Sequence, residues 1–141
     1  MITLKDNNVR LRALEPSDID ILYKWENDQE LWQVSNTTVP FSKYILEKYI
    51  ESSHQDIYST KQLRLVIEKI ENDSFLSAGT IDIFDFDPFH QRAGLGIFIE
   101  KSYRKQGLAK TTLELIIKYC FETIGLHSIY CNISSQNQDS I

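Results

Sequence analysis

The chain has 141 residues, 42% hydrophobic and 25% charged, with a formal net charge of −5, which fits a single globular domain able to bury its own core. The acid excess speaks against a general nucleic-acid binder, which carries a basic surface, and is compatible with cationic substrates such as amines. No run approaches the length of a membrane span and MITLKDNNVR holds no signal-peptide core, so a cytoplasmic protein with no membrane partner is expected.

Val9, Leu11 and Ala13 alternate with Arg10 and Arg12, which predicts a half-buried first strand. Pro16-Ser17-Asp18 reads as a helix start, with Ser17 or the residue before Pro16 near the cap position. Ile19, Leu22, Tyr23 and Trp25 or Glu26 continue a helical stripe, followed by Glu26, Asp28 and Glu30 beside Trp25 and Trp32. Pro40-Phe41-Ser42 restarts a helix at Lys43, with Ile45, Leu46, Tyr49 and Ile50 on one side, and residues 52–61 read as a loop.

Residues 62–69 read as a strand in which Leu63, Leu65 and Ile67 alternate with Arg64, Val66 and Glu68. Glu71-Asn72-Asp73-Ser74 is turn chemistry, predicting an antiparallel hairpin with a second strand over residues 76–86 that Asp87-Pro88 ends. A further strand over residues 93–99 puts Gly94, Gly96 and Phe98 on one face and Leu95, Ile97 and Ile99 on the other. Glycine inside a strand marks a bulge or a close approach by a ligand or another backbone; a helix packed tightly over the glycines is the other reading.

Residues 97–124 form a strand, a basic turn and a long amphipathic helix. Ala109, Leu113, Ile116, Ile117, Cys120, Phe121 and Ile124 supply the predicted buried stripe, and Gly125 suits the left-handed residue after a helix. First turns usually attract acids to complement the helix dipole, yet Lys101, Arg104, Lys105 and Lys110 occur here with no acid between them. Gly107 lets a ligand reach the main chain, so the turn reads either as a cradle for a phosphate-bearing ligand or as a solvated basic turn. Residues 128–133 make a last strand. Cys120 on the helix stripe and Cys131 in that strand read as core thiols rather than a disulfide or metal pair, and His54, His90 and His127 show no metal-ligand pattern, so no metal is expected.

Arg104-Lys105-Gln106-Gly107-Leu108-Ala109 resembles the pyrophosphate-loop pattern Q/R-x-x-G-x-G/A of the GNAT superfamily of acyl-CoA-dependent N-acetyltransferases, at Arg104, Gly107 and Ala109. The strand before, the long helix and further strand after, and Asn137 following that strand extend the likeness, which runs from about Val9 to the last residue. It looks most like the bacterial spermidine and ribosomal-protein acetyltransferases. The rival P-loop pattern needs glycines where this chain has Arg104 and Ala109.

The resemblance implies an α/β (α+β) fold: a mixed, mostly antiparallel central sheet flanked by helices, over residues 1–141 as one domain. It also implies acetyl-CoA as co-substrate, held by Arg104, Lys105, Gln106, Gly107, Leu108, Ala109, Lys110 and Asn137, with its pantetheine arm on the main chain of Ile97, Phe98 and Ile99. Main-chain N–H groups of Phe98 or Ile99 would polarise the thioester carbonyl. The acceptor would be a small-molecule or peptide amine: a polyamine, an amino sugar or a peptide N-terminus. The first helix pair would overhang it, with Glu26 and Glu30 as substrate binders. An amine with pKa near 10.4 must lose a proton before attack; Asp85 and Asp87, at the end of the preceding strand, are the candidate acids.

The family also uses a tyrosine on the helix after the last strand to protonate the leaving thiolate. The sequence stops at Ile141, so that tyrosine and the last strands are expected to lie outside it. The chain would then bind acetyl-CoA better than it turns it over, and the open edge of the last strand would invite a homodimer or higher oligomer. A non-catalytic module that binds CoA or another phosphate ligand, or serves as an interaction domain, is the alternative.

Overall fold

A computed structural model describes residues 4–27, 40–53 and 57–131. Five strands form one sheet in the order β1 (Val9–Ala13), β2 (Leu63–Glu71), β3 (Ser74–Asp87), β4 (Arg92–Ile99) and β5 (Ser128–Cys131). The first four pair antiparallel, and β4 pairs with β5 in parallel. A parallel pair needs a crossover, and the helix between them, Leu108–Tyr119, provides it. The mixed, mostly antiparallel sheet flanked by helices is therefore as the sequence implied.

The predicted hairpin forms around Asn72 and Asp73, which take positive φ of 51° and 62°, the backbone that a tight hairpin turn demands. β2 is covered on both faces instead of one, with Leu65, Val66, Ile67 and Glu68 all buried. One cover is α1 (Ile19–Glu26) and α2 (Lys43–Ser52), which meet through Leu22, Leu46 and Ile50. Ser42 caps α2 by accepting from the Ile45 amide at 3.1 Å. Residues read as a loop include a one-turn helix, α3 (Ile57–Thr60), whose Tyr58 ring packs on Phe86 at 5.2 Å.

The other cover is the crossover helix, α4 (Leu108–Tyr119), lying over Leu11, Ile67, Ile81, Leu95 and Ile99. Its fully buried line is Leu108, Thr112, Ile116 and Cys120 at strict i, i+4 spacing, while Ile117 and Phe121, assigned to the buried stripe from sequence, are exposed. The stripe was centred one position off because Thr112, a polar residue, occupies the middle of the contact. A π-helical turn, Cys120–Ile124, then ends at left-handed Gly125, and the Leu126 amide closes it onto the Cys120 carbonyl at 2.9 Å. Cys120 is the buried, unbridged thiol expected of it.

An ion-pair chain fixes the start of α1 to the sheet. Arg12 grips Asp18 with both terminal nitrogens, at 2.8 and 2.9 Å, and reaches Glu68 with Nε at 2.9 Å. Glu68 also accepts from Arg10 Nε at 2.7 Å. Burial alone would raise the Asp18 pKa, but the Arg12 bonds and the Glu15 amide outweigh it and hold the carboxylate below its ordinary value.

Candidate active site

The segment from the end of β4 to the start of α4 brings two features of the sequence together. Arg104 Nε donates to the Ile99 carbonyl at 2.8 Å, folding the loop back onto the strand. Lys105 and Gly107 both take positive φ, 64° and 79°, a turn backbone of the sort from which anion-binding nests are built. Gly107 caps α4 with no side-chain hydrogen bond, and no acid occupies the first turn. The first amides of a helix have no internal partner, and among the described residues no side chain caps these. A Cβ built on Gly107 would meet nothing within 4 Å: the approach to the main chain is open. Gln106 is held in place, accepting from Lys69 Nζ at 2.8 Å and donating to the Ser102 carbonyl at 3.3 Å.

β4 delivers the adjoining main chain. Its pairing with β5 runs from Arg92↔Ser128 to Leu95↔Cys131 and, among the described residues, goes no further. On the other side Ile97, Phe98 and Ile99 pair with Ile81, Thr80 and Gly79 of β3. Ile97 and Ile99 point into the core under α4, whereas Phe98 turns to the opposite face and meets the edge of Trp25 at 5.8 Å. Trp25 Nε1 and Lys24 both bond to Glu100, at 3.2 and 2.9 Å, so the last turn of α1 is anchored beside the end of β4.

The glycine face of β4 is not open along its length. A Cβ on Gly94 would stand 2.5 Å from the Phe84 ring and 2.8 Å from Tyr130, while one on Gly96 would find Phe84 at 3.5 Å. The cover is a pair of aromatic rings rather than a helix, and it closes Gly94 while leaving Gly96 at ordinary contact distance.

The candidate acids Asp85 and Asp87 lie at the end of β3, as read from the sequence. Asp85 sits on a bulge in β3 with φ of 51°, exposed, accepting from the Tyr130 hydroxyl at 3.3 Å. Asp87 lies opposite Arg92 at the start of β4, so both are at the end of that strand remote from the basic loop. Asp87 is also occupied: it accepts the Phe89 and His90 amides at 3.1 Å and pairs with His90 Nδ1 at 2.7 Å. The His90 bond leads in holding its pKa below the ordinary value, which makes a poor base. His90 thus has an acid beside it.

Glu26, on the last turn of α1, is ion-paired with Arg64 of β2. Arg64 also holds Asp82 of β3 with a two-pronged grip, Nε to Oδ1 at 2.6 Å and Nη2 to Oδ2 at 2.8 Å. Burial would lower the Arg64 pKa, but Asp82 and then Glu26 raise it overall, so the guanidinium stays charged. Asp82 is the cross-strand partner of Gly96, so this carboxylate stands directly opposite a strand glycine. The sequence reading passed over it. Glu30 and Asn137 lie outside the described residues. Among the described residues, no three His, Cys, Asp or Glu side chains cluster as metal ligands, and no helix is long and apolar enough to cross a membrane.

A basic loop at the start of a helix with no acid in its first turn, the glycine-bearing strand that leads into it and a helix pair on the opposite face of the sheet are the features of a GNAT fold. The acetyltransferase (GNAT) domain model matches residues 8–141, and the chain belongs to that family, as an acetyl-CoA-dependent N-acetyltransferase. It is 21% identical over 136 residues to spermidine N(1)-acetyltransferase of Vibrio cholerae, covering 96% of this chain and 75% of that one. To spermidine N(1)-acetyltransferase of Escherichia coli K12 it is 23% identical over 135 residues, covering 96% and 69%. The crystal structure of the Vibrio cholerae spermidine N-acetyltransferase in complex with CoA and spermine superposes with a TM-score of 0.80 at 21% identity, covering 96% of this chain and 76% of that one. At that identity the likeness establishes the fold.

Proposed function

We propose that residues 1–141 act as one domain that transfers the acetyl group of acetyl-CoA to a primary amine, with a polyamine as the first acceptor to test. The observation that carries the cofactor site is Gly107, left-handed and unobstructed at the start of an uncapped, acid-free helix. The pyrophosphate would rest on the amides of residues 106–110, with Arg104 and Lys105 adding charge. Ile97, Phe98 and Ile99, which lead from β3's partner strand into the basic loop, would hold the pantetheine arm through their main-chain groups. Acetyl-CoA supplies an already activated thioester, so the chain's task is mainly to align it with the amine and to polarise its carbonyl from the Phe98 or Ile99 amide. The polyamine assignment draws on the names of the spermidine acetyltransferase relatives and on the acidic charge of the chain.

The test pairs calorimetric titration with CoA against thiol release from acetyl-CoA over a panel of polyamines, amino sugars and peptide N-termini. Amine-dependent thiol release is the expected result. CoA binding with no amine-dependent release would favour a non-catalytic CoA-binding module.

A further inference from the structure

Resting on the N-acetyltransferase reading, we infer that Asp82, aimed by Arg64, is the anionic partner that holds the cationic acceptor amine beside β4. Three placements lead to it. Register makes Asp82 the neighbour of Arg64 on one side and Gly96 on the other, so all three share the sheet face that α1 and α2 cover. Gly96 contributes no side chain, and the nearest atom to a Cβ there is the Phe84 ring at 3.5 Å, so the ground next to Asp82 has an aromatic border and no side chain of its own. The Asp82 side chain remains 30% exposed, within reach of a ligand.

Arg64 is the positioning residue. Its fork fixes the plane of the carboxylate, and the Tyr49 ring at 5.2 Å braces the guanidinium. The fork uses two of about four lone-pair directions on a carboxylate, and the remainder can accept from an ammonium. Arg64 also divides its single positive charge between Asp82 and Glu26, so it does not neutralise both. A primary amine arrives protonated at neutral pH. A partly buried carboxylate held in fixed orientation recognises that form better than a mobile surface acid could, because its orientation is set before binding. Asp85 and Asp87 lie at the other end of β4, and Asp87 is engaged by His90.

The test is steady-state kinetics on Asp82→Asn, Asp82→Glu and Arg64→Lys, with CoA calorimetry on each variant to show that it is folded. Asp82→Asn should raise KM for a polyamine about tenfold or more while KM for acetyl-CoA stays within about twofold. Asp82→Glu should recover part of the loss, and Arg64→Lys, which keeps the charge but not the fork, should raise the amine KM alone. Added salt should raise the amine KM of the parent and leave that of Asp82→Asn nearly flat, a response that a purely structural role would not produce. If Asp82→Asn no longer binds CoA, Asp82→Glu and Arg64→Lys decide. An unchanged amine KM in the folded variants overturns the inference and spares the enzyme reading, whereas a parent that acetylates no amine overturns both.

Discussion

The side chain that opens the basic loop is tied to the last residue of β4: Arg104 Nε donates to the Ile99 carbonyl at 2.8 Å. The bond sets the start of α4 and the end of β4 in one frame, as a ligand spanning both requires. Arg104→Ala should therefore weaken CoA as well as acetyl-CoA. Gly107→Glu puts an anion into the cradle and a side chain onto a left-handed backbone that costs about 1–2 kcal/mol for other residues. In calorimetry it should lose at least about tenfold in CoA affinity, the equivalent of about 1.4 kcal/mol, and Gly107→Ala markedly less.

The two strand glycines should respond differently. Gly94→Ala drives a Cβ into the Phe84 and Tyr130 rings, overpacking that should cost about 1–3 kcal/mol in urea unfolding. Gly96→Ala meets only an ordinary contact and should stay within about 1 kcal/mol of the parent. Equal losses would mean that the rings do not close over Gly94.

Much of this was legible in the sequence because it rests on local chemistry. The Asn72-Asp73 turn, the Ser42 cap, the glycine-bearing strand and the Gly107 loop each depend on a few adjacent residues. Asp82 was missed for a reason of register. Counting outward from the Glu71↔Ser74 pair sets Arg64 opposite Ile81 and so puts Asp82 on the other face. A bulge between Ile67 and Glu68 shifts the pairing by one residue and brings Asp82 opposite Arg64 instead, which reverses the face that each side chain occupies. Nothing in the spacing of apolar residues announces that bulge. The exposure of Ile117 and Phe121 likewise depends on how α4 is rotated on the sheet, which composition alone does not fix.

Acid sensitivity should have an identifiable share from Asp18. Its pKa is lowered from the model-peptide value of 3.8, so its contribution is fully present above that value and fades as pH falls through the lower folded-state value. Asp18→Asn leaves Arg12 without its carboxylate and should cost roughly 2–3 kcal/mol at pH 7. The gap between the parent and the variant in unfolding free energy should narrow below about pH 4. A constant gap down to strongly acid pH would contradict the ion pair.

Cys120 should be inert while the protein is folded. Burial pushes its thiol up to about 12, and the thiolate is the reactive form. In a Cys131→Ser background, iodoacetamide at pH 8 should label Cys120 in concentrated urea and leave it untouched in buffer. Prompt labelling of the folded protein would place the thiol at the surface.

The most direct measurement follows the acetyl group itself. The chain is incubated with spermidine and acetyl-CoA carrying an isotope label in the acetyl carbons, and the products are separated by mass spectrometry. Acetyl transfer to an amine predicts labelled N-acetylspermidine, formed in step with free CoA and abolished when the amine is left out. Label that stays in acetyl-CoA, or appears only as free acetate, across spermidine and the wider amine panel would contradict it.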